Sequence, residues 1–389
     1  MTSSENPQFL FLVGAPRSAN SAVHALLDSH PDILTWPVEC HFFTVFKQVA
    51  GESKTAPVKE LNKRFIEHFV NRFRERLSLN TVQLNDNVFQ ISNMFSGFDI
   101  PKFIKELESN ASDQMTALEY LTFVFSSFHQ CSNQYKNTKV RYYSMLLTSR
   151  GFDWTNPDVL KHSRLIFPYR PSIESYGSLR ENYLKTITPN EFFHINAKKG
   201  MFYWMNIYKK ISDYANKYNN HSNFHVLKVS DLRTNQEKTV NQLYKFLNIK
   251  QHNSMNTMTI LGLPYGGNAR DASLNTGRIA KKPSTLLYPI SRFERHCFQK
   301  IKLHDFDNDQ TIFIPHSTIK MLSLAIYSSL WEIKGKFKEN HYNTSSRLKF
   351  IHWRIKLLIK FLKIQKILQK QDVLKSFSDK HGTPMDSFE

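Results

Sequence analysis

A short loop near the N-terminus combines the residues expected of an anion-binding site. The loop, residues 14–21, follows the apolar run 9–13 and leads into a helix-compatible segment at 21–28. Backbone N–H groups at a helix N-terminus have no partner within the helix, and the helix dipole favours an anion there. Arg17 adds a permanent positive charge whose fork of donors fits a phosphate. The stretch therefore predicts a strand, a phosphate loop and a helix in succession.

Two kinds of phosphate-binding loop could account for this stretch. A nucleoside-triphosphatase loop requires Gly, four residues, then Gly-Lys-Ser/Thr. Here Ala19, Asn20 and Ser21 occupy the last three positions, so the lysine is missing. A magnesium-dependent nucleotide kinase is therefore the weaker hypothesis. The plain structural alternative is an ordinary strand-to-helix turn of an α/β protein.

The phosphate loop resembles the 5′-phosphosulfate loop of sulfotransferases that use 3′-phosphoadenosine-5′-phosphosulfate (PAPS). Their pattern is Gly-x-Pro-Arg/Lys-Ser-Gly-Thr-Ser/Thr, followed by a helix that ends near His-Pro. The chain matches this pattern at Gly14, Pro16, Arg17, Ser18, Ser21, His30 and Pro31. It differs at Ala19, where the family has Gly, and at Asn20, where the family has Thr. Ala19 matters if its backbone needs a positive φ, and Asn20 can still donate through its amide. The resemblance implies that residues 14 and 16–21 bind the nucleotide.

A second segment supplies a candidate base, just after a short strand predicted at 33–37. The residues that follow resemble a Lys-Glu-x-His-Phe-Phe segment of carbohydrate sulfotransferases, with Val38 in place of Lys and matches at Glu39, His41, Phe42 and Phe43. An attacking hydroxyl or amine must lose its proton, and a positioned carboxylate can take it. The resemblance implies that Glu39 is the catalytic base, with His41 as the substitute, while Arg17 stabilises the leaving phosphate. The alternative is an exposed Glu beside an aromatic core anchor.

A third segment resembles the site for the nucleotide's 3′-phosphate. A strand predicted at 164–169 is followed by Arg170 and Pro171, and Ser178 lies at the spacing that sulfotransferases show. Arg170 would leave the end of the strand and Ser178 would lie in the next helix, so that both reach one phosphate. The family usually has Asp or Asn between Arg and Pro, which is absent here. The alternative is that Arg170 is a surface residue and Ser178 a helix residue, without a shared ligand.

A glycine-rich loop at 262–270 is the last candidate. It resembles a Gly-Gly-Asn-Ser segment with which many bacterial sulfotransferases close over the nucleotide, with Ala269 in place of Ser. The implied contacts are Gly266, Gly267, Asn268 and Arg270. A solvated basic loop explains the same residues equally well.

These segments need a parallel sheet to bring them together. We expect an α/β fold with a P-loop-like parallel sheet, helices on both faces, and the nucleotide at the C-terminal ends of the strands. The predicted α/β domain covers residues 1–300, includes a largely helical insertion at about 44–150, and precedes a basic helical extension at 301–389. Helices are predicted at 58–77, 101–107, 113–131, 201–218 and 237–247, and a further strand at 224–229. The many aromatic residues of the insertion are core by default, although some could line an acceptor cleft.

Composition limits the other possibilities. The chain of 389 residues has a net charge of +19, which favours anionic ligands or surfaces. Its three cysteines are widely spaced, so neither a disulfide framework nor a zinc site is expected, and no metal is predicted. The polar N-terminus lacks a secretory pattern and no apolar run is long enough to span a bilayer, so a cytoplasmic location is expected.

The C-terminal region is strongly basic. Residues 334–380 contain 13 Lys or Arg and three Asp or Glu, so +10 of the net charge lies there. Residues 346–370 have a helix pattern with two neighbouring apolar rows and a narrow basic face. Such a helix either docks on the body of the protein or lies on an anionic membrane surface.

The resemblance, which covers residues 8–43 and 164–290, implies sulfuryl transfer from PAPS to a hydroxyl or amine acceptor without a metal. A glycan or glycolipid acceptor is the first expectation, from the Glu39 segment. Two alternatives remain besides the kinase. A binding-only descendant of the family is plausible because of Ala19, Asn20 and Ala269. A nucleic-acid binder is favoured by charge alone, without a recognised motif, and is not expected.

Overall fold

The computed structural model describes residues 7–70, 83–84, 87–88, 98–109, 112–132, 135, 138–147, 161–186, 201–260, 262–264, 279, 295, 303–305, 310–312, 352 and 359. Residues 265–270 of the glycine-rich loop predicted at 262–270 lie outside these residues. Apart from His352 and Ile359, so does the predicted helix at 346–370.

The strands are β1 (Gln8–Val13), β2 (Ile33–Glu39), β3 (Thr55–Pro57), β4 (Gln83–Leu84), β5 (Asn87–Val88), β6 (Gln114–Thr116), β7 (Tyr142–Leu147), β8 (Ser163–Tyr169), β9 (Phe224–Lys228), β10 (Thr259–Ile260), β11 (Leu263–Pro264), β12 (Leu303–Asp305) and β13 (Gln310–Ile312). The α-helices are α1 (Asn20–Leu27), α2 (Phe42–Ala50), α3 (Val58–Phe65), α4 (Ile100–Glu108), α5 (Ala117–Cys131), α6 (Ser172–Thr186), α7 (Met201–Tyr218), α8 (Val229–Thr234) and α9 (Gln236–Leu247). A π-helical turn, Ile66–Val70, continues α3, and a 3₁₀ turn spans Asn253–Asn256.

A five-stranded sheet in the order β2-β7-β1-β8-β9 forms the centre of the fold. Every neighbouring pair is parallel. The C-terminal ends of all five strands therefore lie at one edge of the sheet, which is where ligands bind in folds of this kind. The predicted α/β class with a parallel sheet is confirmed.

Side chains of β1 alternate between two apolar layers, because successive residues of a strand point to opposite faces. Leu10 and Leu12 belong to a buried cluster that also contains residues of α1, α8 and α9. Phe9 and Phe11 point the other way, and their rings contact those of Phe125 in α5 and Phe43 in α2. Helices thus cover both faces of the sheet, as expected.

Aromatic residues from the predicted insertion form the core of the second layer. The ring of Trp36 on β2 lies 5.0–6.1 Å from the rings of Phe65, Phe103, Phe125 and Phe128. All five side chains are fully buried. Burying each phenylalanine contributes about 1.5–3 kcal/mol to folding. These residues are core rather than the lining of an acceptor cleft.

The strand β7 was not predicted. It falls inside the range assigned to the helical insertion, yet it lies between β1 and β2 and all six of its residues are buried. A strand covered on both faces has no alternation of polar and apolar residues, so its pattern resembles that of a buried helix segment. The described helices of the insertion, α2–α5, all precede it.

Two helices of the insertion differ from their predicted limits. The helix expected at 58–77 is α-helical to Phe65 and then π-helical to Val70, and 71–77 lies outside the described residues. The helix expected at 113–131 starts later, because residues 114–116 pair with β3 as the strand β6. Thr116 caps α5: its hydroxyl accepts from the N–H of Glu119, whose carboxylate accepts from the N–H of Thr116.

The chain divides into two compact units. Unit 1 comprises Met1–Pro171, Ile211–Thr285 and Phe306–Asp309; unit 2 comprises Ser172–Lys210, Leu286–Asp305 and Gln310–Glu389. In this division α6 and the first part of α7 belong to unit 2, and the predicted domain boundary at residue 300 stays a prediction. Among the described residues, no helix is both long and apolar enough to cross a membrane.

Candidate functional site

The phosphate loop connects β1 to α1 and has an unusual backbone. Arg17 has a φ of 66° and Ala19 a φ of 60°, so both residues are left-handed. This conformation costs a residue with a side chain roughly 1–2 kcal/mol. The question raised by the sequence at Ala19 is answered, since this position does have a positive φ. Left-handed residues in tight loops are typical of concave backbone sites for anions.

Asn20 lies inside the loop. Its carboxamide nitrogen donates to the carbonyl oxygens of Gly14, at 3.1 Å, and Ala15, at 2.9 Å. A Cβ atom added to Gly14 would lie 2.1 Å from Asn20 Oδ1, so a larger residue there would force this side chain to move. The amide that was expected to donate to the nucleotide therefore donates to the loop itself.

Ser18 and Ser21 occupy different environments around the loop. Ser18 is buried, with 1% of its surface exposed, and its N–H donates to the carbonyl of Ala15 at 3.1 Å. Ser21 lies in the first turn of α1 and is partly exposed, as Pro16 is at the other side of the loop. Ala19 is the N-cap of α1 and has no polar side chain with which to cap the helix.

Arg170 reaches the phosphate loop from the neighbouring strand. It directly follows β8, which pairs with β1. Its Nη1 atom donates to the carbonyl oxygen of Arg17 at 3.3 Å. The structure thus brings together two arginines that the sequence assigned to different phosphates of one nucleotide. Two permanent positive charges at the C-terminal ends of adjacent parallel strands favour an anionic ligand there.

The other predicted nucleotide contacts stay predictions. Ser178 lies in α6, which belongs to unit 2, whereas Arg170 belongs to unit 1. Gly266, Gly267, Asn268 and Arg270 lie outside the described residues.

The candidate base lies at the same edge of the sheet. Glu39 is the last residue of β2, and 43% of its side chain is exposed. The next three apolar residues are buried: Cys40, Phe42 and Phe43. The ring of Phe43 packs edge-on against Phe11 of β1. These anchors hold the segment to the strand that carries the phosphate loop and leave the Glu39 carboxylate at the surface.

His41 lies beside Glu39. Its Nε2 atom is 3.9 Å from Oε1 of Glu39, and 19% of its side chain is exposed. At this distance the two groups are neighbours without a direct hydrogen bond. His41 is also the N-cap residue of α2.

The strand register sets the distance between base and loop. Glu39 pairs with Leu146 on β7, and Leu146 pairs with Leu12 on β1. Glu39 is therefore level with Leu12 and two strand spacings away, about 10 Å between backbones. The phosphate loop begins two residues after Leu12. The Glu39 carboxylate and the cationic loop thus lie at the same edge of the sheet, with β7 between their strands.

Asp28, just after α1, forms hydrogen bonds to distant parts of the chain, and the sequence analysis did not identify it. It is buried, and its Oδ2 accepts from the Thr259 hydroxyl at 2.8 Å and from the Gly262 N–H at 2.9 Å. These bonds tie the end of α1 to the chain that leads into the predicted nucleotide-closing loop. No local signal marks this role, because the partners are more than 200 positions apart.

The His30-Pro31 motif has a structural role. His30 is buried; its Nδ1 accepts from the N–H of Asp32, and its Nε2 lies 3.0 Å from the carbonyl of Lys250. Since Nδ1 accepts, Nε2 must be the donor. The motif therefore holds the end of α1 against the chain after α9.

His24 is buried in the middle of α1. Desolvation lowers the pKa of His24 to about 4, although a hydrogen bond with the backbone of Ser144 acts in the opposite direction. The imidazole is therefore neutral at pH 7. In the part of the chain that the structure describes, no group of three or more His, Cys, Asp or Glu could hold a metal ion.

Comparison with known proteins identifies a family. The model of the sulfotransferase family matches residues 7–253, a range that contains β1, the phosphate loop, Glu39 and Arg170. No curated protein sequence matches the chain significantly.

Solved structures that match this chain include three sulfotransferases. The sulfotransferase domain of the Synechococcus PCC 7002 olefin synthase is 13% identical, with 73% of this chain and 92% of that chain covered and a TM-score of 0.39. The sulfotransferase domain from the curacin biosynthetic pathway is 15% identical, with 75% and 96% covered and a TM-score of 0.38. The sulfotransferase STF9 from Mycobacterium avium is 12% identical, with 64% and 66% covered and a TM-score of 0.35.

Proposed function

Because the chain belongs to the sulfotransferase family, we propose that it transfers a sulfuryl group from PAPS to a hydroxyl or amine acceptor, a glycan or glycolipid. One observation carries this proposal. The cationic phosphate loop and Glu39 lie at the same edge of one parallel sheet, where the backbone of Glu39 is level with Leu12, two residues before the loop.

The residues around the phosphate loop fit a nucleotide of this charge. Arg17 and Arg170 are always protonated, and the left-handed backbone at Arg17 and Ala19 is typical of anion-binding loops. PAPS supplies the sulfuryl group and, after transfer, leaves as 3′-phosphoadenosine 5′-phosphate (PAP). In this proposal Arg17 and the loop bind the 5′-phosphosulfate, while Arg170 binds the 3′-phosphate; the contact from Ser178 stays a prediction.

Glu39 is the proposed base. The acceptor oxygen or nitrogen forms a bond to sulfur while the bond from sulfur to the phosphate oxygen breaks. The acceptor proton passes to the Glu39 carboxylate, and the charge that develops on the phosphate oxygen is stabilised by Arg17. The anchored neighbours of Glu39 support this role, because a base must be held in position.

Thermal unfolding with added nucleotide tests the proposal. PAP at a hundredfold excess over its dissociation constant should stabilise the fold by about 2.7 kcal/mol. ATP with magnesium, the ligand expected under the alternative kinase hypothesis, should not reproduce this shift. Arg170→Ala should weaken binding of PAP much more than binding of its 3′-dephosphorylated analogue. An unchanged melting temperature at millimolar PAP would contradict the proposal.

A binding-only descendant of the family is the second candidate. The strained Ala19 and the inward-facing Asn20 favour it, because both depart from the family pattern within the loop. Incubation with labelled PAPS and a panel of glycans and glycolipids separates the two functions. Binding of PAP without transfer of label to any acceptor would favour the second candidate.

A further inference from the structure

We propose that Asn20 is a positioning residue that holds the phosphate loop in the shape that receives the nucleotide. This inference rests on the proposed function and concerns a residue at which the chain departs from the family pattern. Asn20 is the first residue of α1, and its side chain turns back across the loop to the carbonyls of Gly14 and Ala15.

The carbonyl oxygens of the loop are the groups that must be kept away from an anion. A carbonyl pointing at a phosphate repels it, whereas an N–H attracts it. Asn20 engages the carbonyls of Gly14 and Ala15, and Arg170 engages that of Arg17. Three carbonyls of the loop are thus held by side-chain donors from α1 and from the end of β8.

The orientation of the Asn20 amide follows from its surroundings. If the amide were flipped, Oδ1 would face two carbonyl oxygens, which is repulsive. In the observed orientation Oδ1 is buried beside the Cα of Gly14 and has no hydrogen-bond partner within the described part of the chain. A threonine has a single O–H donor and could not bond two carbonyls at once.

Asn20 also explains how the loop tolerates Ala19. A left-handed alanine is strained, and the two hydrogen bonds of the next residue oppose relaxation of that strain. Asn20 in turn requires glycine at position 14, since any Cβ there would meet its carboxamide. The residues at 14, 19 and 20 are therefore coupled.

Nucleotide affinity and stability of matched variants test the proposal. Asn20→Ala removes the two bonds and leaves a good helix former at the start of α1. The control is Asn62→Ala, which removes another amide that donates to a backbone carbonyl, that of Leu107, in the insertion. Both variants should melt at lower temperature. Only Asn20→Ala should weaken PAP binding in calorimetry, by about tenfold or more. Without the two hydrogen bonds the loop must become ordered on binding, and this cost reduces the net free energy of binding.

Equal PAP affinity of Asn20→Ala and the wild type, with both variants melting early, would make Asn20 a structural residue and overturn the proposal. A double-mutant cycle gives a second test that needs no nucleotide. Gly14→Ala should lower the melting temperature clearly in the wild type and less in the Asn20→Ala background. Equal losses in both backgrounds would overturn the coupling. If the wild type does not bind PAP at all, the proposed function fails and the nucleotide role of Asn20 with it, whereas the cycle still decides the contact between Asn20 and Gly14.

Discussion

At the scale of single residues, the site combines strain with anchoring. Arg17 and Ala19 have a left-handed backbone conformation, which residues with a side chain disfavour. The Asn20 amide donates two hydrogen bonds to carbonyls of the same loop. Glu39, by contrast, is the last residue of β2, where the register with β7 shifts between Thr35 and Glu39, and buried neighbours set its position. Relief of strain at Ala19 should therefore increase the free energy of unfolding. Substitution of Glu39 should change the chemistry of the site and leave the fold intact.

Ala19→Gly should increase the free energy of unfolding by up to about 1 kcal/mol, because the relief of left-handed strain outweighs the extra entropy of the unfolded chain. The matched control is Ala22→Gly, within α1, which should lower the free energy of unfolding by about 1 kcal/mol. Urea denaturation measures both. A loss of stability in both variants would show that position 19 does not keep its left-handed conformation.

Glu39→Gln should lower the rate of sulfuryl transfer by about 10²-fold or more while PAP affinity is retained, since the amide cannot accept the proton. Release of PAP from PAPS in the presence of an acceptor measures the rate. Glu60→Gln is a suitable control, because Glu60 is similarly exposed but pairs with Arg64 on α3. If Glu39→Gln remained fully active, His41 would be the base to test next.

At the scale of elements, α1 connects the site to the core. The phosphate loop meets its N-terminus, His24 is buried at its centre, and Asp28 binds the chain after α9 at its other end. A change in the packing of α1 should therefore reach the loop. The buried imidazole makes that packing dependent on pH.

Stability should fall as the pH is lowered from about 6.5 to 4. Above pH 6.5 His24 is neutral in both states, so its full contribution is present. Between these values the unfolded chain binds a proton that the folded chain excludes, because burial lowers the pKa of His24 to about 4. The loss reaches about 3 kcal/mol. Burial also lowers the pKa of His30 and of His225, which act in the same direction.

His24→Gln should flatten this dependence. Urea unfolding at pH 7.5, 5.5 and 4.5 compares the variant with the wild type. The difference at pH 7.5 reports the change in packing alone and serves as the internal control. A variant that loses as much stability as the wild type between pH 7.5 and 4.5 would exclude His24 as the main titrating group.

At the scale of the whole molecule, charge is unevenly distributed. More than half of the net charge of +19 lies within residues 334–380. Two apolar rows in the predicted helix at 346–370 exceed the single stripe that a docked surface helix needs. Of the residues described there, Ile359 is 49% exposed. We propose that this region contacts an anionic membrane, which would neutralise the charge, accept the apolar surface and bring the chain near the proposed lipid-linked acceptor.

The intact chain should therefore sediment with acidic liposomes, and a chain that ends at Asn343 should sediment less. Each basic residue near such a surface contributes about 1 kcal/mol, so the difference should shrink at high salt. Neutral liposomes provide the control. Equal sedimentation of the two chains would contradict membrane contact, and unfolding of the shorter chain would show that the helix belongs to the core.

The sequence by itself determined the features that depend on neighbouring residues. The strand, loop and helix at 8–27, the strand before Glu39 and the helix at 201–218 could all be predicted, because apolar periodicity and turn residues act locally. The sequence did not determine whether Ala19 has a positive φ, since this depends on how the loop closes.

Tertiary structure alone decided the features that join distant parts of the chain. The place of β7 between β1 and β2 depends on pairing across more than 100 positions, and a fully buried strand has no distinctive pattern. The inward turn of Asn20 depends on where the carbonyls of Gly14 and Ala15 lie once β1 is paired on both sides. The bond from Thr259 to Asp28 forms only when the chain after α9 returns to α1. Each of these three features depends on groups that come together only when the chain folds. In the unfolded chain the same groups form hydrogen bonds with water instead.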